Sequence, residues 1–120
     1  MILNLLASEE EIVSFLRAFW DDEGTICIDY RSKSLKLRGR QKSAPIRQVL
    51  IELHRRIGIK AKEDYDKKGV IISRKEDIIK FSREIGFSQG VKVGESVRGT
   101  HTGKNKVELL EESIKKIFKA

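Results

Sequence analysis

Ser8-Glu9-Glu10-Glu11-Ile12-Val13-Ser14-Phe15-Leu16-Arg17-Ala18-Phe19-Trp20-Asp21-Asp22-Glu23-Gly24-Thr25-Ile26-Cys27-Ile28-Asp29-Tyr30-Arg31 decides the fold, because its hydrophobic period changes once, at Gly24. Before Gly24, Ile12, Phe15, Leu16 and Phe19 recur at helical spacing, and Val13 and Trp20 widen the apolar stripe into a face buried on two sides. Ser8 with Glu11 three residues on is a capping box that starts this helix. After Gly24 the pattern alternates. Ile26, Ile28 and Tyr30 share one face, and Thr25, Cys27, Asp29 and Arg31 share the other, which predicts a half-buried strand. Gly24 itself suits a chain leaving right-handed helical geometry.

The pattern repeats downstream. Arg31-Ser32-Lys33-Ser34 reads as a polar turn, after which Leu35 and Leu37 alternate with Lys36, Arg38 and Arg40 as the second strand of a hairpin. Ser43 caps the next helix, with Pro45 tolerated in its first turn. Ile46, Val49, Leu50, Leu53 and Ile57 form its stripe and Gly58 closes it. Residues 59–65 and 69–73 read as a second hairpin across Asp66-Lys67-Lys68-Gly69. Ser73 and Glu76 suggest another capping box before Ile78, Ile79, Ser82 and Ile85, closed by Gly86. Residues 88–104 are glycine-rich and should form a loop. A last helix over about 105–118 carries Val107, Leu110, Ile114 and Ile117 on one side. The expected fold is a single α+β domain over 1–120, an αββαββα module with a four-stranded antiparallel sheet covered by helices on one face.

Composition agrees with a folded protein. The chain has 120 residues, 39% hydrophobic and 36% charged, enough for one core and too few for two. No apolar run is long enough to cross a bilayer, so no membrane association is expected. Residues 1–7 are apolar but lack the basic start and length of a signal peptide. The lone Cys27 allows no internal disulfide and suits a reducing compartment, so the expected location is an intracellular, cytoplasmic and prokaryotic one. Abundant Lys, Glu and Ile beside few Asn and Gln hint at a thermophilic source.

The charge is unevenly spread. The net charge is +7, and residues 30–42 hold Arg31, Lys33, Lys36, Arg38, Arg40 and Lys42 with no acidic residue. A like-charge block without partners repels itself, and an external polyanion relieves it. Strand parity puts Cys27, Asp29 and Arg31 on the same side as Lys36, Arg38, Arg40 and Lys42, with Lys60 and Lys62 added by the third strand. Nothing left in the chain can cover that face. An uncovered, twisted, basic sheet is a cradle for double-stranded DNA, with arginine suited to guanine and lysine to phosphate.

The chemical candidate is Asp21-Asp22-Glu23 at the end of the first helix. Acidic residues there oppose the helix dipole, which prefers cations at that end. A divalent cation held among these carboxylates, Asp22 and Glu23 included, would compensate. Mg²⁺ takes one or two carboxylates and completes its shell with phosphate oxygens and water.

Leu16-Arg17-Ala18-Phe19-Trp20-Asp21-Asp22-Glu23-Gly24 resembles the signature of the LAGLIDADG homing endonucleases, nearest to its Phe-Leu-Arg-Gly-Phe-Phe-Asp-x-Glu-Gly variant. The likeness extends over most of the chain. Arg40-Gln41-Lys42 followed by a helix ending in Ile57-Gly58-Ile59 is similar to the family's passage from strand to helix. Ile71-Ile72-Ser73 through Lys80-Phe81 to Ile85-Gly86-Phe87 is similar to its second hairpin and third helix. The resemblance implies a site-specific, double-strand DNA endonuclease acting as a homodimer, hydrolysing phosphodiester bonds with Mg²⁺ or Mn²⁺. It implies Glu23, at the eighth motif position, as metal ligand, and Gln41 and Lys92 around the catalytic water. It further implies a dimer interface along the signature helix, through Leu16, Arg17, Ala18, Phe19 and Trp20, and base reading in the major groove by the open sheet face. The chain departs from the pattern at Arg17, often a small residue in the family, at Ala18, where the nearest variant has glycine, and at Trp20, which replaces an aliphatic residue or phenylalanine.

Two other readings stay open. One is a non-cleaving nucleic-acid-binding protein on the same scaffold, a transcription regulator or an RNA maturase. The other is half of a two-motif endonuclease. His54, on the polar side of its helix, reads as a surface residue. His101 lacks the surroundings of a catalytic triad. Cys27 has no second thiol or nearby histidine at metal-ligand spacing.

Overall fold

The change of period at Gly24 is a direct passage from helix to strand. A computed structural model describes residues 8–93 and 103–118; the stretch 1–7, most of the glycine-rich loop and His101 lie outside the described residues. Helix α1 (Glu9–Glu23) runs into strand β1 (Gly24–Asp29) with no intervening turn. The Ser8 hydroxyl accepts from the Glu11 amide and the Glu11 carboxylate accepts from the Ser8 amide, which satisfies two amides that the helix leaves unpaired. These bonds hold the Glu11 carboxyl below its ordinary pKa. Gly24 is extended rather than left-handed (φ −79°, ψ 138°), so glycine is needed there for space. A Cβ on it would strike the Trp20 carbonyl and come within 2.9 Å of the indole ring.

Strand β2 (Ser34–Arg40) pairs with β1, and helix α2 (Ala44–Arg56) follows, capped by Ser43 with proline in its first turn. Then come β3 (Lys62–Glu63), β4 (Gly69–Ile72), α3 (Lys75–Glu84) and α4 (Lys106–Phe118). The sheet has the order β1-β2-β4-β3 and is antiparallel throughout. The α+β class and the four-stranded antiparallel sheet are as expected. Two local expectations are corrected. β3 is much shorter than 59–65, because Ile59 and Ala61 are buried in the core and the Lys60 amide donates to the Asp77 carboxylate of α3 at 3.0 Å instead of to a strand. The N-cap of α3 is Arg74 rather than Ser73, and no side chain caps it.

Register separates the two sheet faces. Ile26 opposite Leu37, Ile28 opposite Leu35, and Gly39 opposite Val70 lie on the face where α1, α2 and α4 pack. Leu16, Trp20, Leu37, Leu50, Ile59, Val70, Ile72, Ile78 and Phe81 are fully buried between sheet and helices. Phe19, Trp20, Phe81 and Phe87 form a chain of edge-to-face contacts with centroids 5.3, 5.4 and 5.5 Å apart, the arrangement ring quadrupoles prefer. His54, expected at the surface, is 0% exposed and belongs to this core. Its position on α2 faces the Trp20 indole, which donates to it.

Candidate functional site

Helix α1 ends with Asp21, Asp22 and Glu23 against the edge of the sheet. This acidic end meets a cation that the protein itself supplies. Lys106, in the first turn of α4 and 7% exposed, donates to the carbonyls of Gly24 at 2.8 Å and Asp21 at 3.2 Å. Its ammonium lies 5.3 Å from the centre of the Phe87 ring. Burial pulls the Lys106 pKa down, while the negative charges of Asp21, Asp22 and Glu23 push it back up. Carbonyls and carboxylates that the helix dipole would leave repelling one another therefore share an internal ammonium.

The three carboxylates have different fates. Asp21 accepts from the Ser88 hydroxyl at 2.5 Å and from the Ser88 amide at 2.9 Å, tying α1 to the segment after α3. Asp22 and Glu23 are exposed and have no hydrogen-bond or ion-pair partner among the described residues. Within one subunit, no three Asp, Glu, His or Cys side chains among the described residues converge as a closed metal cage. Asp22 and Glu23 could contribute one or two carboxylates to a Mg²⁺ shell completed by phosphate and water.

Gln41 and Lys92 lie at the same end of the molecule as Glu23. Gly24 is opposite Gly39 in the sheet, so Gln41, two residues beyond Gly39, leaves β2 beside the start of β1. Three ties fix it. Its amide donates to the Lys68 carbonyl at 2.9 Å, its carbonyl accepts from buried Arg47 at 3.0 Å, and its side-chain oxygen accepts from the Ser43 amide at 3.0 Å. The side-chain nitrogen of Gln41 is left without a partner among the described residues. Lys92 is exposed and forms a backbone bridge with Asn105, the residue before Lys106.

The uncovered sheet face carries Thr25, Cys27 and Asp29 from β1, Lys36, Arg38 and Arg40 from β2, Ile71 from β4 and Lys62 from β3. Its charges are not all available. Arg38 donates from Nε to Asp64 at 2.6 Å and from Nη2 to Asp66 at 3.5 Å, so the expectation of a partnerless basic block is corrected. Its hydrogen bond to Asp64 raises the Arg38 pKa further. The signal was across the molecule, in the second turn, and strand parity alone did not reveal it. Lys36, Arg40 and Lys62 are exposed on the strands without ion pairs among the described residues. Arg31 lies in the β1–β2 turn, Lys42 in the link to α2, and Lys60 ahead of β3. Asp29 accepts from the Arg31 and Ser32 amides and shapes that turn. Burial raises the Cys27 thiol pKa, which keeps it a neutral, weakly polar surface.

Helix α1 divides differently from expectation. Leu16 and Trp20 are 0% exposed within the single subunit, so neither has surface left for a second copy. Arg17 reaches inward, donating to the Ile85 carbonyl at the end of α3 at 2.7 Å. Phe19 is half-buried against Gly39. Ala18 faces outward, in line with exposed Ser14 and Asp22 four residues to either side. Among the described residues, no helix is long and apolar enough to cross a membrane. Comparison with protein-family models, with curated proteins and with solved structures gives no significant match.

Proposed function

We propose that two copies of this chain form a LAGLIDADG-type, site-specific double-strand DNA endonuclease dependent on Mg²⁺ or Mn²⁺. The observation that carries the reading is that the exposed Asp22–Glu23 pair adjoins the end of the uncovered face that carries Arg40, with Lys62 and Lys36 further along it. The cations engage backbone phosphates and hold the duplex along the strands. Ser14, Ala18 and Asp22 provide the outward stripe of α1 along which a second copy packs. A twofold axis there brings two Glu23 side chains towards one duplex and favours a near-palindromic target.

Glu23, with Asp22 beside it, would hold the divalent ion. When bound, the ion supplies Lewis-acid stabilisation of a phosphate oxygen and a more acidic water. Lys106 fixes the backbone on which Glu23 stands. Gln41, tied at three points, offers its side-chain nitrogen to a phosphate oxygen or an ordered water. Lys92 contributes an exposed ammonium beside the same end.

The experiment is plasmid cleavage with Mg²⁺, with Mn²⁺ and with chelator, using wild type and Glu23→Gln, together with gel-shift binding and sedimentation. Metal-dependent cutting by a dimer, lost in Glu23→Gln while binding persists, is the expected result. Cutting by Glu23→Gln at the native rate, or a lone subunit that cuts, overturns the reading. Binding by every form with no cutting under any metal identifies the non-cleaving alternative.

A further inference from the structure

The turn between β3 and β4 presents a side chain that folding does not use. Tyr65 is 86% exposed, twice the value of Tyr30, the other large exposed hydrophobic among the described residues. The backbone beneath it is well tied. The Asp64 amide donates to the Gly69 carbonyl at 2.9 Å, the Lys67 amide to the Asp64 carbonyl at 2.9 Å, and the Lys68 amide to the Asp66 carboxylate at 2.9 Å. One side of the ring is backed by the Arg38 guanidinium, 5.4 Å from its centre. That guanidinium is itself fixed by Asp64, which is 4% exposed. An aromatic ring held out on a braced turn, with a planar cation behind it, is a stacking platform.

A shallow groove of about 230 Å³ adjoins the ring on the open sheet face. Cys27 and Ile71 give it an apolar lining, and Lys36, Arg38 and Tyr65 line it as well. This is the chemistry of a nucleobase site, apolar and aromatic surface for a ring with cations for the adjoining phosphates. Three carboxylates lie nearby: Asp64 and Asp66 pair with Arg38, and Asp29, which lines the groove, accepts from the Arg31 and Ser32 amides.

We propose that Tyr65, backed by Arg38, stacks one unpaired nucleobase of a bound strand in this groove, with flanking phosphates on Lys36 and Lys62. The proposal rests on the nucleic-acid reading above and adds to it a preference for a base that is out of its pair, at a mismatch, a nick or a locally opened duplex. Extrusion of a base from a perfect duplex has an energetic cost, so already unpaired bases are favoured.

The test measures affinity at low salt for oligo(dT), for an abasic deoxyribose-phosphate strand of equal length, and for a perfect duplex, using wild type, Tyr65→Ala and Tyr65→Phe. Wild type should prefer oligo(dT) over the abasic strand by about tenfold. Tyr65→Ala should lose that preference and Tyr65→Phe should keep it. The exposed position makes unfolding of the alanine variant an inadequate explanation, and a circular dichroism melt checks it. Full preference in Tyr65→Ala, equal binding of both strands by wild type, or binding of neither overturns the stacking site. Failure of duplex binding alone counts against the endonuclease reading and leaves the base preference to stand or fall on the two single strands.

Discussion

The Trp20 indole donates from Nε1 to Nε2 of His54 at 2.9 Å, inside the core and across the junction of α1 and α2. Because Nε2 accepts, the imidazole proton is on Nδ1, which donates to the Leu50 carbonyl at 2.7 Å. A neutral ring thus satisfies two helices at once. Burial lowers the His54 pKa to about 4, against the weaker opposing effect of the Leu50 carbonyl.

That shift gives stability a pH dependence with a definite sign. Between the ordinary histidine pKa of 6.5 and the folded value of about 4, the unfolded chain binds more protons than the folded one. The contribution of neutral His54 is therefore complete above pH 6.5 and is lost as pH falls towards 4. Urea denaturation at about pH 7.5 and about pH 4.5 should differ by roughly 2 to 3 kcal/mol more in wild type than in His54→Gln. Equal pH sensitivity of the two proteins would count against the assignment.

Lys106 should matter to stability out of proportion to its place near a helix start. Lys106→Met removes two hydrogen bonds from a charged donor and leaves the Asp21 and Gly24 carbonyls beside three carboxylates. The expected loss is about 2 kcal/mol in chemical denaturation. An unchanged midpoint would show that water replaces the ammonium without penalty.

The cations of the open face should separate into two groups. Lys36→Ala and Arg40→Ala should each weaken DNA binding and reduce the slope of log affinity against log salt by about 1, with little change in melting temperature. Arg38→Ala should instead destabilise the fold by about 2 kcal/mol, since Asp64 is left buried without its partner. If Arg38→Ala changed the salt slope as much as Lys36→Ala and left the melt untouched, the ion pair would not persist in solution.

Gly39 is a packing constraint on α1. A Cβ there would lie 2.7 Å from Phe19 Cζ and 3.2 Å from Trp20 Cζ3, so Gly39→Ala must push the Phe19 ring away from the sheet. Overpacking of this kind costs about 1 to 3 kcal/mol. Near-ultraviolet circular dichroism should change with it, as the Phe19–Trp20 edge contact at 5.3 Å is disturbed. Preserved stability and an identical aromatic spectrum would contradict the packing described.

What was legible in the sequence was whatever obeys a period. Alternation put Lys36, Arg38 and Arg40 on one face and Leu35 and Leu37 on the other, and the register agrees. Helical spacing gave Ile12 and Leu16 to the core, and Ser8 and Ser43 cap their helices as their positions suggest. Interactions between distant segments were not legible in that way. His54 lies on the polar side of its stripe by composition, yet Trp20 supplies the partner that lets it be buried. The Asp64–Arg38 pair joins residues 26 positions apart, and nothing local marks it. Lys106 did leave a trace. A lysine in the first turn of α4 opposes that helix's dipole, as the carboxylates at the end of α1 oppose theirs. Each anomaly offsets the other in the fold, although neither spacing nor period joins the two ends.

The brace beneath Glu23 is donated from a residue more than eighty positions downstream. A nascent polypeptide emerging from the ribosome thus displays the carboxylates of α1 long before the ammonium that steadies them has been translated. The braced arrangement at the end of α1 arises only once α4 has docked, after synthesis has passed Lys106.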